Sequence, residues 1–219
     1  MVTFNDVSTS LAIREYIRQA DESLLAIGYT EHSFAHVMKT AKVTGYILSK
    51  LDYDPRYVEI SMIAAYLHDI GNIINRVDHS QSGALMAFRL LDEMGMEPKE
   101  LAAVITAIGN HDEGTGTPVS PMAAALILAD KSDVRRSRVR NNDFSTFEIH
   151  DRVNFSVTDS TLTIDDAKKD IVLNMSIDTK YSSVMDYFEI FLERMILCRK
   201  AAEKLGLSFR LVINGHSLL

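Results

Sequence analysis

The sequence places ionisable side chains where buried helices are expected. His68 and Asp69 follow residues 60–67, a run that is apolar nearly all round, so this helix should be buried rather than half-exposed. Asp130 ends a second apolar run, residues 123–129. An unpaired buried carboxylate is costly, and proteins therefore pair it with a cation or give it to a metal ion. Both aspartates are thus predicted to share a partner of this kind.

Three further histidines lie at comparable places. His36 falls inside a predicted helix, His79 stands just before another, and His111 opens a glycine-rich loop. Imidazole and carboxylate together are a ligand set for Fe, Mn, Zn, Co or Ni, and the near absence of cysteine disfavours a structural zinc site. The predicted metal ligands are His36, His68, Asp69, His79, His111 and Asp130.

Each of these residues has an ordinary alternative when taken singly. His36 would commonly be a core or surface histidine, and His79 and His111 would commonly be surface residues of polar loops. Asp130 would simply pair with Lys131 or with an arginine that follows it. What favours a metal site is the recurrence of these residue types over successive helices, because short motifs alone have a high false-positive rate.

Helical periodicity with start and stop signals accounts for the first 141 residues. Ser10 and Asp54-Pro55 are start signals, and Gly28 and Gly95 are stop signals. The predicted helices run from Leu11 to Ile27, Ser33 to Leu51, Pro55 to about Gly71-Asn72, Ser80 to Met94, Pro98 to about Gly109-Asn110, and Met122 to about Ser137.

The pattern changes after residue 141, where alternating segments appear. We predict a hairpin of strands Val153–Val157 and Leu162–Ile164 with a turn at Thr158–Ser160. A third strand (Ile171–Ile177), a long helix (Ser183–Leu205) and a fourth strand (Phe209–Ile213) should follow. The fold class is therefore mainly α, with a helical domain (1–141) and a small α+β C-terminal subdomain (142–219) packed on it.

Composition excludes several classes of function. The formal charge is −7, which argues against general nucleic-acid binding. No apolar run reaches the roughly 18 residues of a membrane helix, so no membrane partner is expected. Cys198 is the single cysteine, so no intramolecular disulfide can form, and no secretory signal is visible. These features predict a cytoplasmic protein.

His36, the adjacent pair His68-Asp69 and the distant Asp130 resemble the motif of the HD superfamily of metal-dependent phosphohydrolases. The resemblance covers about residues 30–135 and implies an HD-domain helical bundle with the metal site at its centre. His79 with the following residues 80–84, and Asn110-His111 with residues 114–118, resemble two-metal members, namely HD-GYP phosphodiesterases and HD-type dinucleoside tetraphosphate hydrolases. Several residues depart from the HD-GYP pattern, which argues against cyclic-di-GMP hydrolysis: Asn72, Asn110 and Thr117.

The resemblance implies two divalent metal ions, with Fe or Mn favoured over Co, Ni, Zn or Mg. His36, His68, Asp69 and Asp130 would hold the first, and Asp69 would bridge to a second, completed by His79 and His111. The implied activity is cleavage of a phosphate mono- or diester, in a small, nucleotide-type substrate, by a metal-activated hydroxide. Asp69, His68 and Lys131 are the predicted catalytic residues, with Lys131 near the phosphate because it follows Asp130 directly.

Two other functions stay open from the sequence. The first is a sensor or scaffold module that keeps the site without catalysis, and the second is an HD oxygenase with a di-iron site. A homodimer is also left open. The C-terminal subdomain carries no motif with evident chemistry. It could cap the active site, dimerise or bind a regulator, and the preferred interpretation is that it merely covers an apolar face of the helical domain.

Overall fold

A computed structural model describes residues 1–141 and 143–219. The first part of the chain is helical, and a 3₁₀ turn (Ile70–Ile73) follows the fourth helix. The helices are α1 (Phe4–Thr9), α2 (Leu11–Ala26), α3 (Phe34–Lys50), α4 (Pro55–Leu67), α5 (His79–Glu93), α6 (Pro98–Gly109) and α7 (Pro121–Lys131).

Local capping explains where these helices begin. The Ser10 side chain accepts a hydrogen bond from the backbone of α2, and Asp54 caps α4, which has Pro55 at its first position. Ser120 caps α7, which begins with Pro121. These side chains satisfy backbone N–H groups that have no partner inside the helix, so the predicted starts agree with the structure.

The C-terminal part combines two helices with a small sheet. Its elements are α8 (Ile149–Ser156), β1 (Val157–Ile164), β2 (Asp170–Ile177), α9 (Val184–Lys204), β3 (Ser208–Ile213) and β4 (His216–Ser217). The strand order is β1-β2-β3-β4; β2 and β3 are parallel, while the other two pairs are antiparallel. A parallel pair needs a crossover connection, and α9 provides it. The mainly α fold with an α+β C-terminal part is therefore confirmed.

Four local predictions were wrong. The segment predicted as strand 153–157 is helical up to Ser156, and the predicted turn at 158–160 lies inside β1, because short alternating runs do not distinguish a strand from a half-buried helix. The helix α4 ends at Leu67 rather than near Gly71-Asn72, and α7 ends at Lys131 rather than near Ser137. In addition, the sequence analysis did not predict the short helix α1. Residue 142, where the predicted second segment begins, lies outside the described residues.

The helix α7 is buried over nearly its whole surface and lies between two hydrophobic clusters. One face, with Met122 and Leu126, packs among α3, α4 and α6. The other, with Ala125 and Leu128, packs against the sheet and α9. This burial explains why the run before Asp130 is apolar all round. Within the part of the chain that the structure describes, no helix has the length and apolar character needed to span a bilayer.

Candidate metal centre

The six predicted ligands meet at one place, which the ends of several helices form. His68 and Asp69 directly follow α4, and the 3₁₀ turn then redirects the chain. His79 is the first residue of α5, and His111 lies just beyond the end of α6. His36 comes from the first turns of α3, and Asp130 from the last turn of α7.

The two carboxylate oxygens of Asp69 face two different groups of histidines. Its Oδ2 lies 3.2 Å from Nε2 of His68 and 3.6 Å from Nε2 of His36. Its Oδ1 lies 3.5 Å from Nε2 of His79 and 4.0 Å from Nε2 of His111. One carboxylate therefore faces two separate sets of nitrogen donors, which is the arrangement that a bridging ligand requires.

Asp130 belongs to the first of these two groups. Its Oδ1 lies 3.2 Å from Nε2 of His36 and 3.6 Å from Nε2 of His68. His36, His68 and Asp130 each offer one donor atom within 4.8 Å of the others, and His68, Asp69 and His111 do the same. His68 is common to both sets, so the two groups are contiguous.

The other ring nitrogen fixes the tautomer of each histidine. Nδ1 of His68 donates to the carbonyl of Ala65 at 2.7 Å, and Nδ1 of His111 donates to the carbonyl of Ile108 at 2.6 Å. Since a carbonyl only accepts, these Nδ1 atoms carry the proton, and Nε2 of the neutral ring carries a lone pair. The other two anchoring contacts are His79 Nδ1 to the Arg76 carbonyl at 3.0 Å and His36 Nδ1 to Asp133 at 2.8 Å.

The Nε2 atoms of these rings face one another in two pairs. Nε2 of His36 lies 3.3 Å from Nε2 of His68, and Nε2 of His79 lies 3.2 Å from Nε2 of His111. Two unprotonated nitrogens at this separation repel unless a cation or a proton lies between them. Metal-binding histidines characteristically have Nδ1 anchored to a carbonyl or carboxylate. The donor set therefore fits a divalent metal ion that prefers nitrogen and oxygen ligands.

The electrostatics of the group favour carboxylates that remain ionised. Burial opposes ionisation of Asp69, but His68 outweighs it and holds the Asp69 pKa well below its usual range. Burial likewise opposes ionisation of Asp130, while Lys131 and the histidines keep its pKa low. Burial and then the charge of His68 lower the pKa of His111. For His68, burial opposes protonation, but Asp69 and Asp130 raise its pKa to about 10.

Lys131 lies beside the centre. Its Nζ is 2.8 Å from Oδ2 of Asp130 and also contacts Glu113. Burial opposes its charge, but these two carboxylates outweigh the burial and raise the Lys131 pKa. Glu113 in turn accepts hydrogen bonds from Nε and Nη2 of Arg194 at 3.1 and 3.0 Å. A chain of charges thus runs from Asp130 to α9.

A cavity of about 680 Å³ opens onto the candidate metal centre. Asp69, His79 and Asp130 lie on its wall, and so do Phe191 and Arg194 of α9. The expectation that the C-terminal part only covers an apolar face was therefore incomplete, because this part also supplies a wall of the cavity. His32 lies on the same wall; burial, and then the charge of Arg138, lower its pKa well below its ordinary value.

The four arginines that follow Asp130 mostly make structural contacts. They are Arg135, Arg136, Arg138 and Arg140. Arg135 pairs with Glu31 and Asp133. Arg138 donates to the carbonyls of Glu31 and Asp133. Arg136 stacks over aromatic rings, and Arg140 pairs with Asp21. Arg138 and Arg140 nevertheless contribute to the cavity wall.

Sequence reasoning missed five residues around the centre. Asn72 donates from Nδ2 to Oδ1 of Asp69 at 3.0 Å, and Asp133 holds His36. Asn72 and Asp133 each lie three residues after a predicted ligand, Asp69 or Asp130, and this spacing could have identified them as neighbours of the centre. Arg76, Glu113 and Arg194 had none in the sequence, because long-range packing brings each to the cavity.

The fold and the centre define a helical protein with a buried histidine–aspartate cluster at the meeting point of its helix ends. The segment of residues 33–135 matches the HD domain family. All six predicted ligands fall within it.

Proteins similar to this chain include one curated relative and one solved structure. An uncharacterized protein of Methanocaldococcus jannaschii is 29% identical over 136 residues, and the match covers 52% of this chain and 52% of that protein. This chain thus spans about half the length of that curated relative. A crystal structure described as a predicted HD superfamily hydrolase, from an uncultured Thermotogales bacterium, is 28% identical and covers 56% of this chain and 68% of its own, with a TM-score of 0.43.

Proposed function

We propose that this protein is a metal-dependent phosphohydrolase that acts on a small phosphorylated compound of nucleotide type. The proposal rests on the orientation of the Asp69 carboxylate, because one of its oxygens faces His68 and the other faces His79. This geometry supports a pair of divalent metal ions, of which Fe and Mn are the first candidates. Metal pairs of this kind lower the pKa of a bound water and stabilise charge on phosphoryl oxygens.

The chain's own residues would have distinct roles. His36, His68 and Asp130 would hold one metal ion, His79 and His111 the other, and Asp69 both. Lys131 is buried and charged, and it lies on the cavity wall beside Asp130. It would attract a phosphate oxygen and offset the charge that develops there. We propose Asp69, His68 and Lys131 as the residues on which turnover depends most.

The cavity supports a small-molecule substrate. Its volume of about 680 Å³ falls within the roughly 300–1,000 Å³ of typical ligand sites. Cationic side chains on its wall would complement an anion, while Phe191 and Ile190 offer apolar contact to the rest of the molecule. A nucleotide combines these two features.

The test combines metal analysis with a phosphate-release screen over mononucleotides, cyclic dinucleotides and dinucleoside polyphosphates, in Mn²⁺, Fe²⁺ or Co²⁺. We expect turnover of at least one class, and we expect Asp69→Ala to abolish it. Asp92→Ala, at an exposed position of α5, is the control and should retain full activity. A metal-loaded protein that releases phosphate from no ester would overturn the proposal and favour the scaffold or oxygenase alternatives.

A further inference from the structure

Arg76 places a positive charge at the edge of the second histidine pair. It lies between the 3₁₀ turn and α5, with its side chain 25% exposed and facing the cavity. Its Nη1 is 3.3 Å from Nε2 of His79, 3.4 Å from Oδ1 of Asn72 and 4.0 Å from Oδ1 of Asp69. Two of these three neighbours are proposed metal ligands.

The lone pair on Nε2 of His79 can serve only one cation at a time. Because Nδ1 of His79 donates to the backbone carbonyl of Arg76, Nε2 is the single acceptor on the ring. Arg76 donates to this atom. A metal ion that binds Nε2 must therefore displace the guanidinium, and like charges a few ångströms apart in a partly buried site would enforce the separation.

Arg76 also differs in its partners from three other cations of the cavity wall, which form close ion pairs. Arg194 is held by Glu113, Arg140 by Asp21, and Lys131 by Asp130 and Glu113. A fourth, Arg138, is held by the backbone carbonyls of Glu31 and Asp133. The nearest carboxylate oxygen to Arg76 is that of Asp69, at the 4.0 Å limit of an ion pair. In its present position the guanidinium lies 5.6 Å from the centre of the Tyr29 ring, which is also on the cavity wall.

We propose that Arg76 exchanges partners: it releases His79 when the second metal ion binds and then donates to the phosphoryl oxygens of the substrate. Guanidinium groups bind phosphate through two parallel hydrogen bonds, so the residue would orient the phosphate against the metal pair. The inference names the phosphate-binding side chain of the function proposed above and rests on that function.

The test measures binding rather than turnover, with Mn²⁺ and inorganic phosphate as probes. Calorimetric titration of metal-depleted wild-type protein with Mn²⁺ should show a tighter and a weaker site. Removing the competing charge in Arg76→Gln should strengthen the weaker site about tenfold, and loss of the guanidinium should weaken phosphate binding to the Mn²⁺-loaded protein about tenfold. Arg76→Lys should lose phosphate affinity as well, because ammonium lacks the paired donors.

Arg89→Gln is the matched control, since Arg89 is an exposed arginine of α5 that pairs with Glu93. It should leave both titrations unchanged. Opposite changes in the two affinities cannot arise from general misfolding, which would weaken both. Unchanged titrations of Arg76→Gln would overturn the exchange. So would a wild-type protein that binds one Mn²⁺ where Arg76→Gln binds two, because Arg76 would then replace the second ion permanently.

These outcomes are separable from failure of the hydrolase proposal. Wild-type protein that binds two Mn²⁺ and phosphate, yet hydrolyses no ester, would overturn only the enzymatic function. Equal Mn²⁺ and phosphate affinities in wild type and Arg76→Gln, with ester hydrolysis intact, would overturn only the role of Arg76.

Discussion

Asp133 accepts a hydrogen bond from Nδ1 of His36 at 2.8 Å, although 97 residues separate the two in the sequence. Both side chains are fully buried. Lys39 and Arg135 also contact the Asp133 carboxylate. Burial opposes its ionisation, but His36 and the surrounding cations keep the Asp133 pKa well below its usual range. The carboxylate therefore fixes the ring so that Nε2 faces Asp130.

The first prediction concerns this anchor. Asp133→Asn keeps the size of the side chain but removes its charge, so His36 should become a weaker and less well oriented ligand. Loss of such an anchor typically lowers metal affinity 10- to 100-fold, and Mn²⁺ titration calorimetry would measure it. Asp166→Asn, which removes an exposed carboxylate paired with Lys50, is the control. Equal Mn²⁺ affinity in the two variants would contradict the anchoring role.

The second prediction concerns pH. His68 has a pKa raised from 6.5 to about 10, so without metal its proton pairs with Asp69 and Asp130. This pairing stabilises the fold fully below pH 6.5 and is lost as the pH rises through about 10. Metal must displace the proton, so Mn²⁺ affinity should increase with pH between 6.5 and 9.

Calorimetry in buffers of different ionisation enthalpy would count the protons released on binding, and we expect release near pH 7.5. Binding of Mn²⁺ without proton release at that pH would show that His68 is already neutral. The charge pairing described for the histidine would then be wrong.

The third prediction concerns the turn that follows Asp69. A Cβ at Gly71 would lie 2.1 Å from the carbonyl oxygen of His79 and 2.4 Å from the backbone nitrogen of Gly83. Gly71→Ala must therefore push α5, and His79 with it, away from the turn. Overpacking costs about 1–3 kcal/mol, and backbone contacts this close place the loss at the upper end. Urea unfolding would measure it.

A matched alanine substitution separates this effect from the general cost of losing a glycine. At Gly109 the nearest atom to a new Cβ is 3.8 Å away, so Gly109→Ala should leave the free energy of unfolding nearly unchanged. Gly71→Ala with the stability and Mn²⁺ affinity of Gly109→Ala would disprove the close packing of the turn against α5.

The fourth prediction concerns α9. Arg194→Gln removes both hydrogen bonds to Glu113 and leaves that carboxylate free to draw Lys131 away from Asp130. Hydrogen bonds to charged groups contribute about 1.5–3 kcal/mol each, so kcat/KM should fall roughly tenfold or more. Metal content should stay the same, because no metal ligand changes. Arg199→Gln, at an exposed position of the same helix, should have wild-type kcat/KM; an equal fall in both variants would indicate a merely structural effect.

Local signals made much of the helical part predictable. Capping residues such as Ser10, Asp54 and Ser120 act within one turn of chain, so the sequence contains the information that sets each helix start. The six proposed ligands were recognisable because histidines and aspartates recur inside or at the ends of successive predicted helices. A carboxylate at the end of an apolar run is therefore a feature that the sequence alone reveals.

The other features of the fold and the site depend on long-range contacts, which local sequence patterns do not predict. Glu113 and Arg194 lie 81 residues apart, and their pairing follows from how α9 packs on α7. The segment 149–156 alternates weakly, and packing selects a helix there in place of the predicted strand. In the sequence Arg76 is only one residue of the polar segment between two predicted helices. Its position beside His79 follows from the fold of the 3₁₀ turn.

The burial of α7 on all sides has a consequence for cooperativity. Because one helix is shared by both hydrophobic clusters, neither cluster can lose its order while the other keeps its own intact. A metal ion held by Asp130 would bind only the folded form, so its binding energy would stabilise all the segments that unfold together with α7. Backbone amides of β2, which contribute nothing to the centre, would then exchange hydrogen more slowly as the metal concentration rises.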